Sequence, residues 1–494
     1  MTTNGTGMGH LSRQVAIGAA LAPTADPVLF SLSTAIAQVL GAGSSATGGG
    51  PAPRGEYVPS YHRNWMPVPQ WHGYLRDRLV ALVRELDAQV VAFDGVAPYL
   101  GLLRARAMLP DVPFMWFRRG MWRPGSNTAA LRAVPFFDVV VEPGDLAASA
   151  DRGATAGRTD AVAVPPVTAI GRLSQLDRAA ALTGLGLDPE RPAVLVNLGG
   201  WAHRPGRPGG GWWSSPAGIV VAALLAGTDW QIALIRTPIL TAEVRAAQTD
   251  RLHVIGDVYP LAGYLRGFTA AVAEAGYNGF HELLLTAVPT LFLPKSTRTD
   301  DQHARARWAA ATGVGLYAPE RGDVPGQLAR LMEQAVRVDL ATVAAQLPRE
   351  DGAAAAAELL AGQPRDGFRH RASVAERRRV AVLESKARIA QLIGPAATDR
   401  LRALRRPAPG SAGATAGRRG AGEPARRRAA GEPARRIVAD PAIVTDLTGV
   451  DLLAPRPVEH VLAGTSAHYL AVRTRLARSY YAVPPGWQRP QLGG

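Results

Sequence analysis

Short apolar runs recur along the chain between amphipathic stretches, and their spacing predicts alternating strands and helices. In the first half the runs fall at residues 28–32, 90–93, 113–117 and 137–141, with helical stretches at 11–21, 72–86 and 99–108. In the second half, buried strands are predicted at 193–198, 230–235, 270–273 and 290–293, and helices at 215–225, 281–286 and 303–311. Strands that alternate with helices imply parallel sheets with crossover helices, so the fold class is α/β in two halves. Residues 1–165 form the first unit and 166–362 the second. A polar Gly/Thr/Arg stretch, 151–163, lies between them, followed by Val164-Pro165-Pro166-Val167. A proline pair removes two backbone donors and stiffens the crossing, which puts the hinge there.

Beyond residue 365 the pattern breaks. Residues 363–394 read as a basic helical segment, and 395–436 as a disordered Ala/Arg/Gly/Pro linker in which Gly-Glu-Pro-Ala-Arg-Arg occurs twice. Apolar residues return over 437–494, an extension with helical stretches such as 467–480.

Composition narrows the function. The 494 residues include no cysteine, which excludes a disulfide scaffold, a thiolate metal site and a cysteine nucleophile. The net charge of +15 looks like that of a nucleic-acid binder, but residues 365–436 hold 19 Lys/Arg and 6 Asp/Glu. That segment carries +13 and leaves +2 for everything else, so no nucleic-acid partner is expected. The basic segment reads either as a solvated tail or as a peripheral contact with an anionic membrane. Residues 1–9 lack the apolar core of a secretory signal, and the uncharged run 27–53 is too polar to span a bilayer. A cytoplasmic location follows as the expectation, with the inner face of the membrane as the place of any peripheral contact.

Three motifs carry candidate chemistry. Asn4-Gly5-Thr6-Gly7-Met8-Gly9-His10 leads into a helical run. Glycines let the backbone approach a ligand, the helix N-terminus offers free N–H groups, and a histidine at the junction can take a proton from a hydroxyl. An ordinary turn with a surface histidine has the same sequence. Only Met1-Thr2-Thr3 precede Asn4, whereas such loops follow a core strand of about five residues. The central first strand is therefore expected to be truncated, either because the true start lies upstream or because the first domain is impaired. The second motif, Asn197-Leu198-Gly199-Gly200, follows a strand, and its amides suit a diphosphate or simply a turn.

The third motif is the most specific: Ala275-Gly276-Tyr277-Asn278-Gly279-Phe280-His281-Glu282, then a strand, then Thr299-Asp300-Asp301-Gln302-His303. Asn278 and the Gly279 amide open a helix and suit a phosphate. Glu282 follows Asn278 by one turn on the same face, where a carboxylate accepts both hydroxyls of a ribose. Asp301 and Gln302 lie past a strand's C-terminal end and suit sugar hydroxyls. Asp300 and Asp301 are adjacent rather than spaced, so no Asp-x-Asp metal motif is present.

Gly-Tyr-Asn-Gly-Phe-His-Glu resembles the Gly-Trp-Asn-Ser-x-x-Glu donor signature of GT-B nucleotide-sugar glycosyltransferases. The run from Ala275 to Gly313 is similar to the C-terminal domain of the family that includes the lipid-II-forming N-acetylglucosaminyl transferase, and Gly-Thr-Gly-Met-Gly-His to its N-terminal loop. The likeness covers about residues 4–345. It implies two Rossmann-like domains with a cleft between them, and a metal- and cofactor-independent, inverting sugar transfer from a UDP-sugar co-substrate to a hydroxyl acceptor. It implies that Glu282 binds the ribose, that Asn278 and Gly279 contact phosphate with Gly199 and Gly200, and that Asp301 and Gln302 hold the transferred sugar. Residues 254–259, Val258 among them, would flank the uracil, and His10 would be the base or an acceptor contact. The sequence departs from the plant-type signature at Glu274, where a phosphate-binding histidine is usual.

Acceptor candidates come from the first half. Asp94 follows the strand 90–93, positioned to orient His10 or to hold an acceptor hydroxyl. Arg118, Arg119 and Arg123 follow the strand 113–117 and suit an acidic acceptor or structural ion pairs. Gly7 and Gly9 bring the backbone close to that acceptor. Trp65, Trp71, Trp116 and Trp122 suit either stacking or core packing, and Trp212-Trp213 suit an exposed lip. Two other functions stay open: a UDP-sugar 2-epimerase, and a non-catalytic sugar-nucleotide-binding or scaffold protein.

Overall fold

The computed structural model describes residues 1–2, 8–60, 66–198, 213, 215–236, 249–256, 258–364, 367–374, 376–383, 385 and 389. The first half contributes strands β1 (Val28–Ser31), β2 (Arg54–Tyr57), β3 (Val91–Asp94), β4 (Phe114–Phe117), β5 (Val139–Pro143) and β6 (Val162–Val164). Its helices are α1 (Gly9–Leu21), α2 (Ile36–Gly41), α3 (Val68–Glu85) and α4 (Leu100–Met108). The second half adds strands β7 (Ala193–Asn197), β8 (Gln231–Ile235), β9 (Leu252–Ile255), β10 (Ala270–Ala273), β11 (Thr290–Phe292) and β12 (Leu316–Tyr317). Its helices are α5 (Arg178–Gly184), α6 (Pro216–Gly227), α7 (Tyr277–Leu285), α8 (Gln302–Thr312), α9 (Val324–Met332), α10 (Gln334–Ala345) and α11 (Gly352–Ala361).

Both halves are parallel α/β sheets, as the alternation of runs predicts. The second sheet runs β12-β11-β10-β7-β8-β9, the doubly wound order whose switch point lies between β7 and β10. In the first half β1-β2 and β3-β4-β5-β6 are joined by a single residue. Thr2 bridges Ser31 of β1 on one side and Asp94 of β3 on the other, both in parallel sense. Its N–H donates to Phe30 O at 2.9 Å, Leu32 N–H donates to Thr2 O at 3.1 Å, and Asp94 N–H donates to Met1 O at 2.9 Å. Thr2 thus occupies the first sheet's own switch point, the place of its central strand.

The outer strands escaped the sequence reading for one reason. β2 is Arg-Gly-Glu-Tyr, β6 keeps two of its three residues exposed, and β12 is two residues long. All three lie at sheet edges, where one flank is solvated and apolar patterning fades. Residues 151–163 also differ from expectation. They pack on the first half rather than hanging between the halves, because the Asp151 carboxylate accepts from Met121 N (2.8 Å) and Gly153 N (2.7 Å).

The chain returns to its beginning. Although the sequence reading gives residues 166–362 to the second unit, α11 lies on the first sheet. Ala353, Ala356 and Leu360 pack with Ala16 and Ile17 of α1 and with Phe117 and Val141. Small alanines let the helices approach closely, and Asp351 caps α11 by accepting from Ala353 N and Ala354 N. Residues 367–383 follow onto the same half. His370 Nδ1 lies 2.8 Å from Asp138 and its Nε2 2.9 Å from Glu376, while Val380 and Leu383 pack on the core of α3, α4 and β3–β5. Of the remainder of the basic segment and the extension, residues 384, 386–388 and 390–494 lie outside the described residues.

Gly352 is where α11 meets the Pro165-Pro166 crossing. A Cβ there would stand 2.1 Å from Pro165 O and 2.6 Å from Pro166 O, both backbone atoms. Gly352→Ala should therefore lower the urea midpoint at unchanged slope, by about 1–3 kcal/mol of overpacking.

Candidate active site

The ends of the two switch points converge. α1 is the first helix after the Thr2 bridge and α7 the first after β10, so both helix N-termini lie at the C-terminal edge of a sheet near its point of reversal. Neither helix has a side-chain cap, which leaves first-turn N–H groups and a positive dipole end to a ligand. The two ends touch: a Cβ on Gly9 would lie 3.4 Å from Asn278 Oδ1.

His10 and Asp94, predicted from separate motifs, stand together. His10 Nδ1 is 2.6 Å from Asp94 Oδ1. α1 delivers the imidazole, and the last residue of β3 delivers the carboxylate. Asp94 is fully buried. Burial alone would raise its pKa, but the charges of Arg13 and His10 override this and hold it well below the ordinary carboxylate range. An ionised Asp94 accepts a proton-bearing Nδ1–H, which directs the lone pair of neutral His10 to Nε2. Burial pushes the His10 pKa down, as do the cations Arg13 and Arg119; Asp94 offsets this only in part. The side chain keeps 15% exposure, so the ring remains reachable.

On the facing helix, Asn278 accepts a long contact from Arg13 Nη1 (3.4 Å), and its Nδ2 is buried without a partner. Arg119 Nε and Trp122 Nε1 are likewise buried donors lacking an acceptor. An acceptor-rich ligand would satisfy such groups. Glu282, one turn along α7, is partly buried, and burial alone pushes its carboxyl up to about 7. Tyr259 packs on the first-half cluster of Leu11 and Val15, its hydroxyl meets Ser12, and the Glu282 charge acts on it. The segment carrying Val258 and Tyr259 therefore borders both α1 and Glu282, with Val258 half-buried against the second core. Gly279 has open space where a Cβ would be.

Other predicted residues are committed locally. Asp301 caps α8 by accepting from Ala304 N at 3.0 Å. Gln302 Oε1 accepts from Lys295 N at 2.9 Å, while its Nε2 faces Gly276 at the start of α7. Arg118 does not face the cleft: it is fully buried and paired with Asp160 (2.9 Å) and Glu142 (3.3 Å). Arg119 pairs with Asp300 across the halves at 2.8 Å. Trp71, Trp116 and Trp122 are core residues, whereas Trp213 is exposed. Gly7, Gly199, Gly200, Trp65 and Trp212 lie outside the described residues.

The sequence reading missed the ion pairs that lock this arrangement. Arg305 of α8 is fully buried, donating from Nε to Asp145 of the first half (2.7 Å) and from Nη1 to Asp300 (2.6 Å). His281 accepts Leu146 N–H at Nε2 (3.0 Å) and contacts Tyr277 O through Nδ1 at 2.6 Å, so it is a neutral buried pin. Tyr277 OH donates to Gly144 O (2.8 Å) and accepts from Val167 N (3.0 Å). Helical spacing was the one available signal: His10, Arg13 and Gln14 share a face of α1, and all three reach Asp94.

No family model matches the chain, and no curated protein matches it significantly. Solved structures do. Spinosyn rhamnosyltransferase SpnG complexed with thymidine diphosphate shares 16% identity, covering 73% of this chain and 98% of that one, at a TM-score of 0.47. MurG of Acinetobacter baumannii shares 14%, covering 74% and 99%, at 0.47. The glycosyltransferase SnogD from Streptomyces nogalater shares 15%, covering 73% and 97%, at 0.46. At these identities and scores, none of the likenesses assigns an activity to this chain.

Glu282 generates a stability prediction. Its folded-state pKa is raised, so between the ordinary carboxylate value and about 7 the folded chain binds more protons than the unfolded one, and stability falls as pH rises through that window. Glu282→Gln should match the native protein near pH 5 and exceed it at pH 8, by up to about 3 kcal/mol in urea unfolding. An equal difference at both pH values would place the carboxyl in contact with water.

Proposed function

We propose that the protein transfers a sugar from a UDP-sugar to a hydroxyl acceptor with inversion, in a GT-B arrangement. The observation that carries this reading is the meeting of His10, held by ionised Asp94, with the uncapped N-terminus of α7 at Asn278. One helix end supplies a neutral base, and the other supplies a seat for an anion.

The chemistry balances without a further reactant. His10 Nε2 takes the acceptor's hydroxyl proton while the oxygen attacks the anomeric carbon. The bond from that carbon to the diphosphate breaks on the opposite face, and its electron pair leaves on the diphosphate oxygen. A single displacement of this kind inverts the centre. The growing charge is met by the N–H groups of α7 at Asn278 and Gly279, which interact more strongly with the late state than with the ground state. In this reading Glu282 accepts the ribose hydroxyls, Val258 borders the base, and Asp301 and Gln302 sit at the transferred sugar. Gly199 and Gly200 would complete the diphosphate seat. On the acceptor side the reading keeps Gly7, Gly9 and Arg119 and drops Arg118, whose ion pairs already occupy it.

The basic segment is proposed to touch an anionic membrane from outside. Among the described residues no helix is long and apolar enough to cross one. Among the described residues of this segment, Val374, Val382 and Ile389 are exposed, as are Arg377 and Arg378. Sedimentation with phosphatidylserine vesicles should be lost in a chain ending at Pro364, and equal sedimentation of both chains would remove the idea.

A thermal-shift panel of UDP-, dTDP- and GDP-sugars tests the donor. UDP-sugars should stabilise the protein by about 2.7 kcal/mol at a hundredfold excess over Kd, and Glu282→Ala should abolish the shift. His10→Ala should keep the donor shift while lowering turnover about 10²–10⁴-fold. An unchanged rate, or an epimerised sugar formed without acceptor, would overturn the reading.

A further inference from the structure

Arg13 follows His10 by three residues on α1 and so points from the same face. Its side chain is 2% exposed. All three guanidinium nitrogens lie in the site: Nε donates to Asp94 Oδ2 at 3.0 Å, Nη2 to Asp94 Oδ1 at 2.6 Å, and Nη1 reaches Asn278 Oδ1 at 3.4 Å. The guanidinium also stands 4.9 Å from the centre of the Tyr277 ring. The displacement proposed above makes no use of it.

The arrangement around one oxygen gives it a role. His10 Nδ1 and Arg13 Nη2 both lie 2.6 Å from Asp94 Oδ1, and they lie 2.9 Å from each other. Two donors therefore share one acceptor. With its proton on Nδ1, His10 donates to Asp94 and presents a lone pair at Nε2. A second proton would create a cation 2.9 Å from a permanent one. Asp94, which would ordinarily offset that charge, is already engaged by two nitrogens of Arg13. The charged groups facing His10 are Asp94 from β3, Arg13 from α1 and Arg119 from the segment after β4, one anion against two cations. Tyr277 of α7 adds no charge, because its hydroxyl is held between Gly144 O and Val167 N.

We infer that Arg13 is a positioning residue for the proposed transfer: it engages and holds Asp94, the carboxylate that receives His10 Nδ1–H, keeps that ring uncharged, and ties this state through Asn278 to the donor helix. The inference rests on the proposed function only for its catalytic meaning; the coupling of Arg13 to His10 stands by itself. An Asp–His pair alone would make a stronger base that is more often protonated. The added guanidinium makes a weaker base that stays available and sheds its proton readily after each turnover.

The test is a titration that needs no substrate. Histidines are labelled at Cε1, and the His10 resonance is assigned by its absence in His10→Gln. Arg13→Met should raise the His10 midpoint by at least about one pH unit, as removal of a like charge in contact does. Arg13→Lys, which restores the charge without the two-pronged contact, should recover part of the shift. Arg13→Gln serves as the neutral variant if the methionine protein does not fold. Where transfer is measurable, the acid limb of kcat/KM should move up with the midpoint, so that the rate on that limb falls about tenfold per unit. A midpoint that stays or falls in the neutral variants overturns the inference, even in a working transferase. A raised midpoint in a protein without transferase activity upholds the coupling and removes the proposed function instead.

Discussion

A guanidinium taken out of water must be answered by oxygens held at the right distance, and that requirement fixes how the two halves meet. Arg13 belongs to the first half and Arg305 to the second, and each is buried. Arg13 finds its carboxylate in its own half and its remaining partners, Asn278 and Tyr277, in the other. Arg305 finds Asp300 beside it and Asp145 across the boundary. Tyr277 lies between the two, 4.9 Å from one guanidinium and 5.8 Å from the other. Such pairs contribute little net stability compared with well-packed apolar groups, yet breaking one costs about 3–5 kcal/mol. Their consequence here is geometric: few relative placements of the halves satisfy both arginines at once, and the observed one does.

The same placement puts chemistry where doubly wound sheets already offer it. In each half the strand order reverses beside a central strand, and the helix that follows points its N-terminus into the gap. In the first half, Met1 and Thr2 lie between β1 and β3 and bond to both. One of these bonds runs from Asp94 N–H to Met1 O, which sets the height at which the Asp94 carboxylate meets His10. α11 supports the same helix from outside, packing its alanines on Ala16 and Ile17. The Met1–Thr2 bonds and a returning helix together place α1, and α1 carries both His10 and Arg13.

How much of this was legible depended on how local the cause was. Central strands announced themselves because both faces are covered and every residue is apolar, as in Ala-Val-Leu-Val at 193–196. The glycine-to-helix junctions announced His10 and Asn278 because turn geometry is written in adjacent residues. Edge strands such as Arg54–Tyr57 did not, because half of their surroundings is solvent. Ion pairs were the least legible. Asp145 and Arg305 are 160 residues apart and carry no mark that distinguishes them from surface charges. Arg118 illustrates the converse: its place after a strand pointed to the cleft, but the facing carboxylates of Glu142 and Asp160 claimed it.

The two carboxylates of the site are treated in opposite ways, and the contrast has a physical logic. Asp94 receives more positive charge than it needs, so it remains ionised at any ordinary pH. Glu282 is raised by burial alone and stays close to half-protonated near neutrality. A diphosphate arriving beside a fully charged Glu282 would be repelled. A carboxyl poised near 7 can enter the encounter uncharged and ionise once hydroxyl donors surround it, because hydrogen bonds to a carboxylate favour its charged form. Asp94 has no such latitude, since any wavering there would release Arg13 as an unpaired buried cation and let His10 change tautomer. In the proposed transfer, the end that moves a proton is held in one ionisation state and the end that receives the donor is left adjustable.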